Sequence, residues 1–167
     1  MPTGNAKNNE ESKMLDQCSI EERWNGVDEL IERWRLTRQS MLVQFCEASG
    51  VLDSDVESSK AKESLQQFCQ LLVDYVSSGH FEVYYQLLRE AEEFKDGGAE
   101  LAKTLLPQIT ASTEASMEFN DKYAGGNGDI TSLSNNLSKL GEILESRFEL
   151  EDQLIEILHE AHRAQVA

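Results

Sequence analysis

The side chains best suited to catalysis or binding lie in one stretch, 71–88, with the sequence LLVDYVSSGHFEVYYQLL. It places a carboxylate, Asp74, and an imidazole, His80, among four aromatic side chains: Tyr75, Phe81, Tyr84 and Tyr85. An imidazole in this setting raises the questions of metal binding and of phosphotransfer. The same set of side chains could instead stand at the edge of a surface that recognises another protein.

The stretch is predicted to form two helical segments around a Ser-Ser-Gly interruption at 77–79. Apolar residues recur every three or four positions on both sides of it, which is the period of a helix packed on a core. Glycine inside a helix costs about 1 kcal/mol relative to alanine, so Gly79 predicts a break, a kink or the close approach of a neighbour. Two interpretations stay open: a joint between helices with buried aromatic side chains, or a recognition surface that includes Asp74, His80 and Phe81.

A metal centre finds little support in the rest of the sequence. Glu156 and His159 form an ExxH motif, but a di-iron site in a helical bundle needs two such motifs and carboxylates from two further helices. His80 has Ser77 at the corresponding position, so the second motif is absent. His159 and His162 are predicted to be a surface pair near a helix C-terminus, where a cationic histidine is favoured. We therefore predict no metal ligands and no cofactor.

Catalysis is also disfavoured by the motifs. A phosphotransfer histidine is expected to be followed by lysine and glycine, whereas His80 is followed by Phe-Glu-Val-Tyr. The sequence contains no GxSxG motif, no glycine-rich phosphate loop after a strand, and no histidine close in sequence to a cysteine. We predict a binding protein that is not an enzyme. The alternative from a different class is a helical-bundle protein that binds metal or transfers phosphate through histidine.

Charge narrows the choice of partner. The chain has 31 acidic and 15 basic residues and a formal net charge of −16. Such a protein should repel nucleic acid and anionic membranes and attract a basic partner, although acidity also serves solubility. Seven carboxylates and one base, Arg147, lie between residues 142 and 160, which predicts either a solvated face or a docking face.

The chain is predicted to hold one domain and to be cytoplasmic. The segment 1–18 is polar and aperiodic, which predicts a disordered tail, and 19–165 form a single domain. No apolar run approaches the roughly 20 residues that a membrane span needs. Three cysteines without a CxxC motif, at positions 18, 46 and 69, are typical of a reducing compartment.

Four long amphipathic helices must position these residues. The first begins at a capping box formed by Ser19 and Glu22 and ends before Gly50; the second passes through the interruption near Gly79 and ends at Phe94. The third covers about 99–123, and the fourth runs from about 129 to Arg163. Apolar residues that recur every three or four positions in helices this long predict an all-α fold. We expect an antiparallel up-and-down bundle with its second helix broken or kinked near Gly79.

Three sequence blocks together resemble a known family. They are the stretch at 71–88, ESRFELEDQLIEIL at 145–158, and the weaker ERWNGVDELIERW with its paired tryptophans near residue 22. In order and separation they are similar to the bacterial Rsd/AlgQ family, the regulators of sigma D, over about residues 20–163.

The resemblance implies an anti-sigma factor. Members of this family bind region 4 of the primary, housekeeping sigma factor and sequester it from core RNA polymerase and from the −35 promoter element, notably in stationary phase. Matched by motif, Asp74 corresponds to the aspartate of LVDY, His80 and Phe81 to GHF, and Tyr84 to the tyrosine that follows. Ser78 stands where some members have alanine. The expected sigma-binding residues are Asp74, Tyr75, Ser78, His80, Phe81 and Tyr84.

Overall fold

The computed structural model describes residues 19–126 and 128–166. The predicted disordered tail, 1–18, and with it Cys18, lie outside the described residues. In chain order the elements are α1 Ile20–Asp55, α2 Ser59–Ser78, a π-helical turn Gly79–Val83, α3 Tyr84–Phe94, α4 Gly98–Tyr123, α5 Ile130–Leu158, a 3₁₀ turn Glu160–His162, and α6 Arg163–Val166. The predicted all-α bundle of four long helices is confirmed, as is the irregularity of the second helix near Gly79.

Helix α1 begins as predicted but ends later. The Ser19 hydroxyl accepts a 3.1 Å hydrogen bond from the backbone N–H of Glu22 and caps the helix. The predicted end before Gly50 is wrong, because α1 continues to Asp55. Gly50 lies on an exposed face of the helix, while Ala48 and Leu52 on either side of it are buried and hold the helix against the core. Burial of this face outweighs the low helix propensity of one glycine.

The helix before the connection from α3 to α4 ends at Phe94, as the sequence predicts. Lys95 adopts a left-handed backbone conformation with φ of 48°, and Gly97 follows with φ of 84°. Asp96 accepts a 3.1 Å hydrogen bond from the backbone N–H of Gly98 and fixes the first turn of α4. The conformation of this short connection therefore fixes where α4 begins relative to the end of α3.

The core is a single apolar cluster to which every long helix contributes. Aromatic rings link neighbouring helices, since Phe68 of α2 makes edge contacts with Phe45 of α1 and with Phe119 of α4. Among residues 19–126 and 128–166, no helix has the length and apolar character required to cross a membrane.

The C-terminal end of α5 differs from the prediction. We expected a helix to about Arg163, but α5 ends at Leu158, where His159 leaves the helical conformation with φ of −133° and ψ of −62°. Polar partners on α1 and α3 hold the His159 side chain in the interior, and the chain continues as a 3₁₀ turn.

Candidate functional site

The six expected sigma-binding residues fall into two groups. Asp74, His80 and Phe81 are exposed, and Ser78 is half-buried. Phe81 is 74% exposed, which is unusual for a phenylalanine in a packed bundle. Tyr75 and Tyr84 are buried and face the interior. The exposed group can touch a partner directly, whereas the two tyrosines can act only from behind the surface in this conformation.

A π-helical turn carries His80 and Phe81, and Tyr84 follows it directly. The backbone N–H of Tyr84 donates to the carbonyl of Gly79, five residues earlier, where a regular α-helix would bond four residues back. Before the turn, the N–H of Gly79 donates to the carbonyls of both Tyr75 and Val76. Helix α2 therefore does not stop at Gly79; it passes into α3 with one additional residue in the turn. The predicted interruption is an insertion in a continuous helical path.

The close approach of a neighbour explains Gly79. A Cβ atom at this position would come within 2.9 Å of Trp34 Cζ2 and within 3.3 Å of the Tyr84 hydroxyl. The Trp34 indole also donates a 3.2 Å hydrogen bond to the carbonyl of Tyr75, and the two rings stack with centroids 4.8 Å apart. Two of the three reasons that the sequence offered for Gly79 are thus found together, an irregularity in the helix and the close approach of a neighbour.

The structure determines the burial of Phe81, which the sequence left open. Phe81 and Tyr84 are three residues apart, a spacing that also fits a shared apolar face of one helix. In the structure Val83 and Tyr84 are buried and Phe81 points outward. The turn holds one more residue than an α-helical turn, so the inward face shifts along the sequence by one position after it.

Behind the turn, a buried carboxylate connects the two tyrosines. The Tyr75 hydroxyl donates a 2.6 Å hydrogen bond to Glu151 Oε1, and the Tyr84 hydroxyl donates a 2.6 Å bond to Glu151 Oε2. Arg147 Nε lies 3.4 Å from the same Oε2. Glu151 is fully buried, so the prediction that this acidic run is only a solvated or docking face is wrong at this position.

Two arginines extend the network to the remaining helices. Arg147 of α5 donates to the Tyr84 hydroxyl at 2.9 Å, and through Nη1 to Ser112 Oγ at 3.0 Å and Thr113 Oγ1 at 2.6 Å on α4. Arg38 of α1 donates to the Tyr75 hydroxyl at 2.9 Å and to Asp152 at 2.8 Å. All five helices α1–α5 therefore contribute to one hydrogen-bonded network.

The electrostatics of the network follow from its burial. Burial raises the pKa of the Glu151 carboxyl, and the Arg147 guanidinium and the two phenols oppose that rise. Burial also raises the pKa of both Tyr75 and Tyr84, and the neighbouring Glu151 carboxylate raises them further. Both phenols therefore stay protonated and serve as donors at any physiological pH.

His159 and His162 form a second buried cluster, and the predicted surface pair is wrong. His159 Nδ1 lies 2.8 Å from Glu90 Oε2, and its Nε2 lies 2.9 Å from Asp28 Oδ1. His162 Nε2 lies 2.6 Å from Asp96 Oδ2. Both rings are fully buried because the chain leaves the helix at His159 and turns them inward.

Aromatic stacking holds these two imidazoles in place. The ring of Trp24 stacks on His159 with centroids 4.2 Å apart, and Phe94 stacks on His162 at 3.8 Å. Carboxylates at both ring nitrogens of His159 require a donor at each, which is the imidazolium form. Burial lowers the pKa of His159, but hydrogen bonds to the two carboxylates outweigh it, and the pKa is raised overall.

Three side chains at this cluster are close enough together to be possible metal ligands. Asp28, His159 and Glu160 each offer one ligand atom, and these atoms lie within 4.8 Å of one another. The Arg163 guanidinium already lies 3.5 Å from Asp28 Oδ1 and 2.9 Å from Glu160 Oε2. Both carboxylates are thus paired with a cation supplied by the chain itself.

Comparison with known proteins places the chain in a family. The family model described as "Regulator of RNA polymerase sigma(70) subunit, Rsd/AlgQ" matches residues 14–159. A protein named Regulator of sigma D from Yersinia enterocolitica is 33% identical over 150 residues, which are 87% of this chain and 90% of that protein. A protein of the same name from Enterobacter sp. (strain 638) is 37% identical over 147 residues, which are 85% of this chain and 88% of that protein. The chain belongs to the Rsd/AlgQ family of regulators of the RNA polymerase sigma(70) subunit.

Proposed function

We propose that this protein is an anti-sigma factor that binds region 4 of the primary sigma factor in the cytoplasm. By doing so it keeps that sigma factor from core RNA polymerase and from the −35 promoter element. Membership of a family of sigma regulators supports the coarser function, the regulation of a sigma factor. The proposal adds the region bound, the identity of the sigma factor and sequestration as the mechanism.

The exposed pair of Asp74 and Phe81 is the observation that carries this proposal. The two residues are seven apart, one on the last turns of α2 and the other in the π-turn that follows, and both are exposed. Within the described residues Asp74 makes one side-chain contact, a 3.2 Å hydrogen bond from Gln70. Neither side chain is needed to hold the fold together. An exposed aromatic ring and an exposed carboxylate on one segment are the composition expected of an interface anchor and its polar rim.

Tyr85 extends this surface, although the sequence prediction did not include it. It is 60% exposed and follows Phe81 by four residues. It lies two residues after the π-turn. The proposed binding surface therefore comprises Asp74, Ser78, His80, Phe81 and Tyr85, and we refer to it as the Phe81 surface.

The net negative charge of the chain adds a long-range attraction to the contacts of this surface. Region 4 of a primary sigma factor is a helix-turn-helix domain with a basic face that reads DNA. A chain with a net charge of −16 attracts such a face and competes with DNA for it. The charge should raise the association rate and make binding salt-dependent, whereas the affinity should concentrate in a few buried anchors such as Phe81.

The test is a titration of fluorescently labelled sigma region 4 with the full-length protein, followed by fluorescence anisotropy at two salt concentrations. Phe81→Ala should weaken binding by about 2 kcal/mol or more, the typical cost of losing an interface anchor. Leu101→Ala on α4 is the matched control, because Leu101 is also a large exposed apolar residue. A wild-type protein that is well folded but does not bind region 4 even at low salt would refute the proposal.

A further inference from the structure

The carboxylate of Glu151 connects the two ends of the π-turn. Its Oε1 accepts from Tyr75, four residues before Gly79, and its Oε2 accepts from Tyr84, the first residue of α3. Each of these bonds is 2.6 Å long, and neither Tyr75 nor Glu151 has any solvent exposure. One carboxylate thus spans the turn from the inside while the Phe81 surface lies on its outside.

The helical register shows why the carboxylate and the π-turn depend on each other. Tyr75 and Tyr84 are nine residues apart, and in an uninterrupted α-helix nine residues rotate by about 900°, which puts them on opposite faces. The additional residue of the π-turn removes about 100° of that rotation, so both phenols face inward. Two hydrogen bonds to one carboxylate are therefore available only when the π-turn is present.

We propose that Glu151, acting through Tyr75 and Tyr84, positions the Phe81 surface by holding the π-turn in place. This inference rests on the function proposed above. Without the two phenol bonds, the turn loses the contacts that select it over a regular α-helix. Relaxation to an α-helix would rotate the residues after the turn, Tyr85 among them, by about 100° relative to Asp74, and would reorient Phe81, which lies within the turn itself. Tyr75, Tyr84 and Glu151 are thus positioning residues that need not touch the partner.

The most specific test of this positioning role is a variant that removes a single oxygen atom. Tyr84→Phe keeps the aromatic ring and deletes the hydroxyl that donates to Glu151 and accepts from Arg147. The matched control is Tyr123→Phe on α4, since Tyr123 is also buried and its hydroxyl also accepts a short hydrogen bond, from Asn136 at 2.6 Å. Tyr84→Phe should weaken the affinity for sigma region 4 by about 2- to 30-fold, the range of coupling through packed residues that lie outside a binding site. Tyr123→Phe should leave it unchanged.

A double-mutant cycle separates positioning from a general loss of stability. If Tyr84 acts by directing Phe81, the effect of Tyr84→Phe on affinity should disappear in a Phe81→Ala background. Hydrogen exchange of the backbone amides at 79–84 should also become faster in Tyr84→Phe while the rest of the core stays protected. Should Tyr84→Phe not fold, Tyr75→Phe provides the same test from the other side of the turn.

The outcomes distinguish the two proposals. If Phe81→Ala weakens binding while Tyr84→Phe behaves like Tyr123→Phe, the positioning role is wrong and the proposed function stands. Equal losses of affinity from Tyr84→Phe in both backgrounds would also refute the positioning role. If Phe81→Ala binds region 4 like the wild type, Phe81 is not an anchor and the positioning role fails, while the binding of region 4 stands. The proposed function itself fails only if the wild type does not bind region 4.

Discussion

The indole of Trp34 packs directly against the backbone of Gly79, at a distance that leaves no space for a Cβ atom. The nearest indole atom, Cζ2, would lie 2.9 Å from that Cβ. Trp34 is only 2% exposed and is fixed by its stack with Tyr75 and its hydrogen bond to the Tyr75 carbonyl. Since the ring cannot move aside, the residue at position 79 must be glycine for the turn to form as it does.

We therefore expect Gly79→Ala to destabilise the protein. Overpacking of a filled core typically costs about 1–3 kcal/mol, which exceeds the gain of about 1 kcal/mol from replacing a helical glycine with alanine. Gly50→Ala is the control, because Gly50 is also helical but has no neighbouring atom within 4 Å of a Cβ. Urea unfolding should show a lower free energy of unfolding for Gly79→Ala and an equal or higher one for Gly50→Ala. A stabilised Gly79→Ala variant would contradict the packing argument.

Much of the fold could be predicted because helix periodicity is a local property of the sequence. The capping residue Ser19, the stop after Phe94 and the long amphipathic helices depend on near neighbours in the chain. The end of α1 was missed because Gly50 has a low propensity, while the contacts that keep the helix intact come from other helices. The end of α5 was missed because its cause is a pair of carboxylates on α1 and α3.

The candidate site was predicted less completely, for a related reason. Exposed residues such as Asp74, His80 and Phe81 were found through the family motif. The exposure of Phe81, which the apolar spacing left open, accompanies a π-turn with a single inserted residue, and spacing alone does not reveal a π-turn. Glu151 looked like one member of an acidic run. Its register on α5, in line with Leu144, Leu154 and Leu158, was the available signal that it faces inward.

The buried histidine cluster predicts a dependence of stability on pH. The pKa of His159 is raised in the folded protein above its ordinary value of 6.5. A raised pKa means that the folded state binds the proton more tightly, so the contribution is complete below about pH 6.5 and is lost as the pH rises through the folded-state pKa. We expect the free energy of unfolding lost on His159→Gln to be largest at pH 6 and smaller at pH 9. His80→Gln, at an exposed site, is the control, and a pH-independent difference would contradict this prediction.

The buried ion pair predicts a large effect from one charge deletion. Arg147 and Glu151 are both fully buried, and Arg147 is the nearest cation to the carboxylate. Arg147→Met should leave the buried Glu151 with one neighbouring cation, Arg38, whose Nη2 lies 3.5 Å from Oε1, and should cost about 3 kcal/mol of unfolding free energy in urea denaturation. Lys103→Ala, which breaks the exposed pair with Glu100, should cost at most about 1 kcal/mol. Equal costs for the two variants would mean that Glu151 finds other compensation.

Asp74 offers a test of how charge contributes to sigma binding. Because Asp74 is exposed and its only described side-chain partner is Gln70, Asp74→Ala should leave the helical circular dichroism unchanged. It should weaken binding to sigma region 4 and reduce the dependence of affinity on salt, since one attractive charge beside the anchor is lost. Glu114→Ala on α4 removes the same charge from an exposed position on a different helix and controls for net charge. If both variants reduce the salt dependence equally, the attraction is a property of the whole acidic chain; a larger effect at Asp74 assigns it to the Phe81 surface.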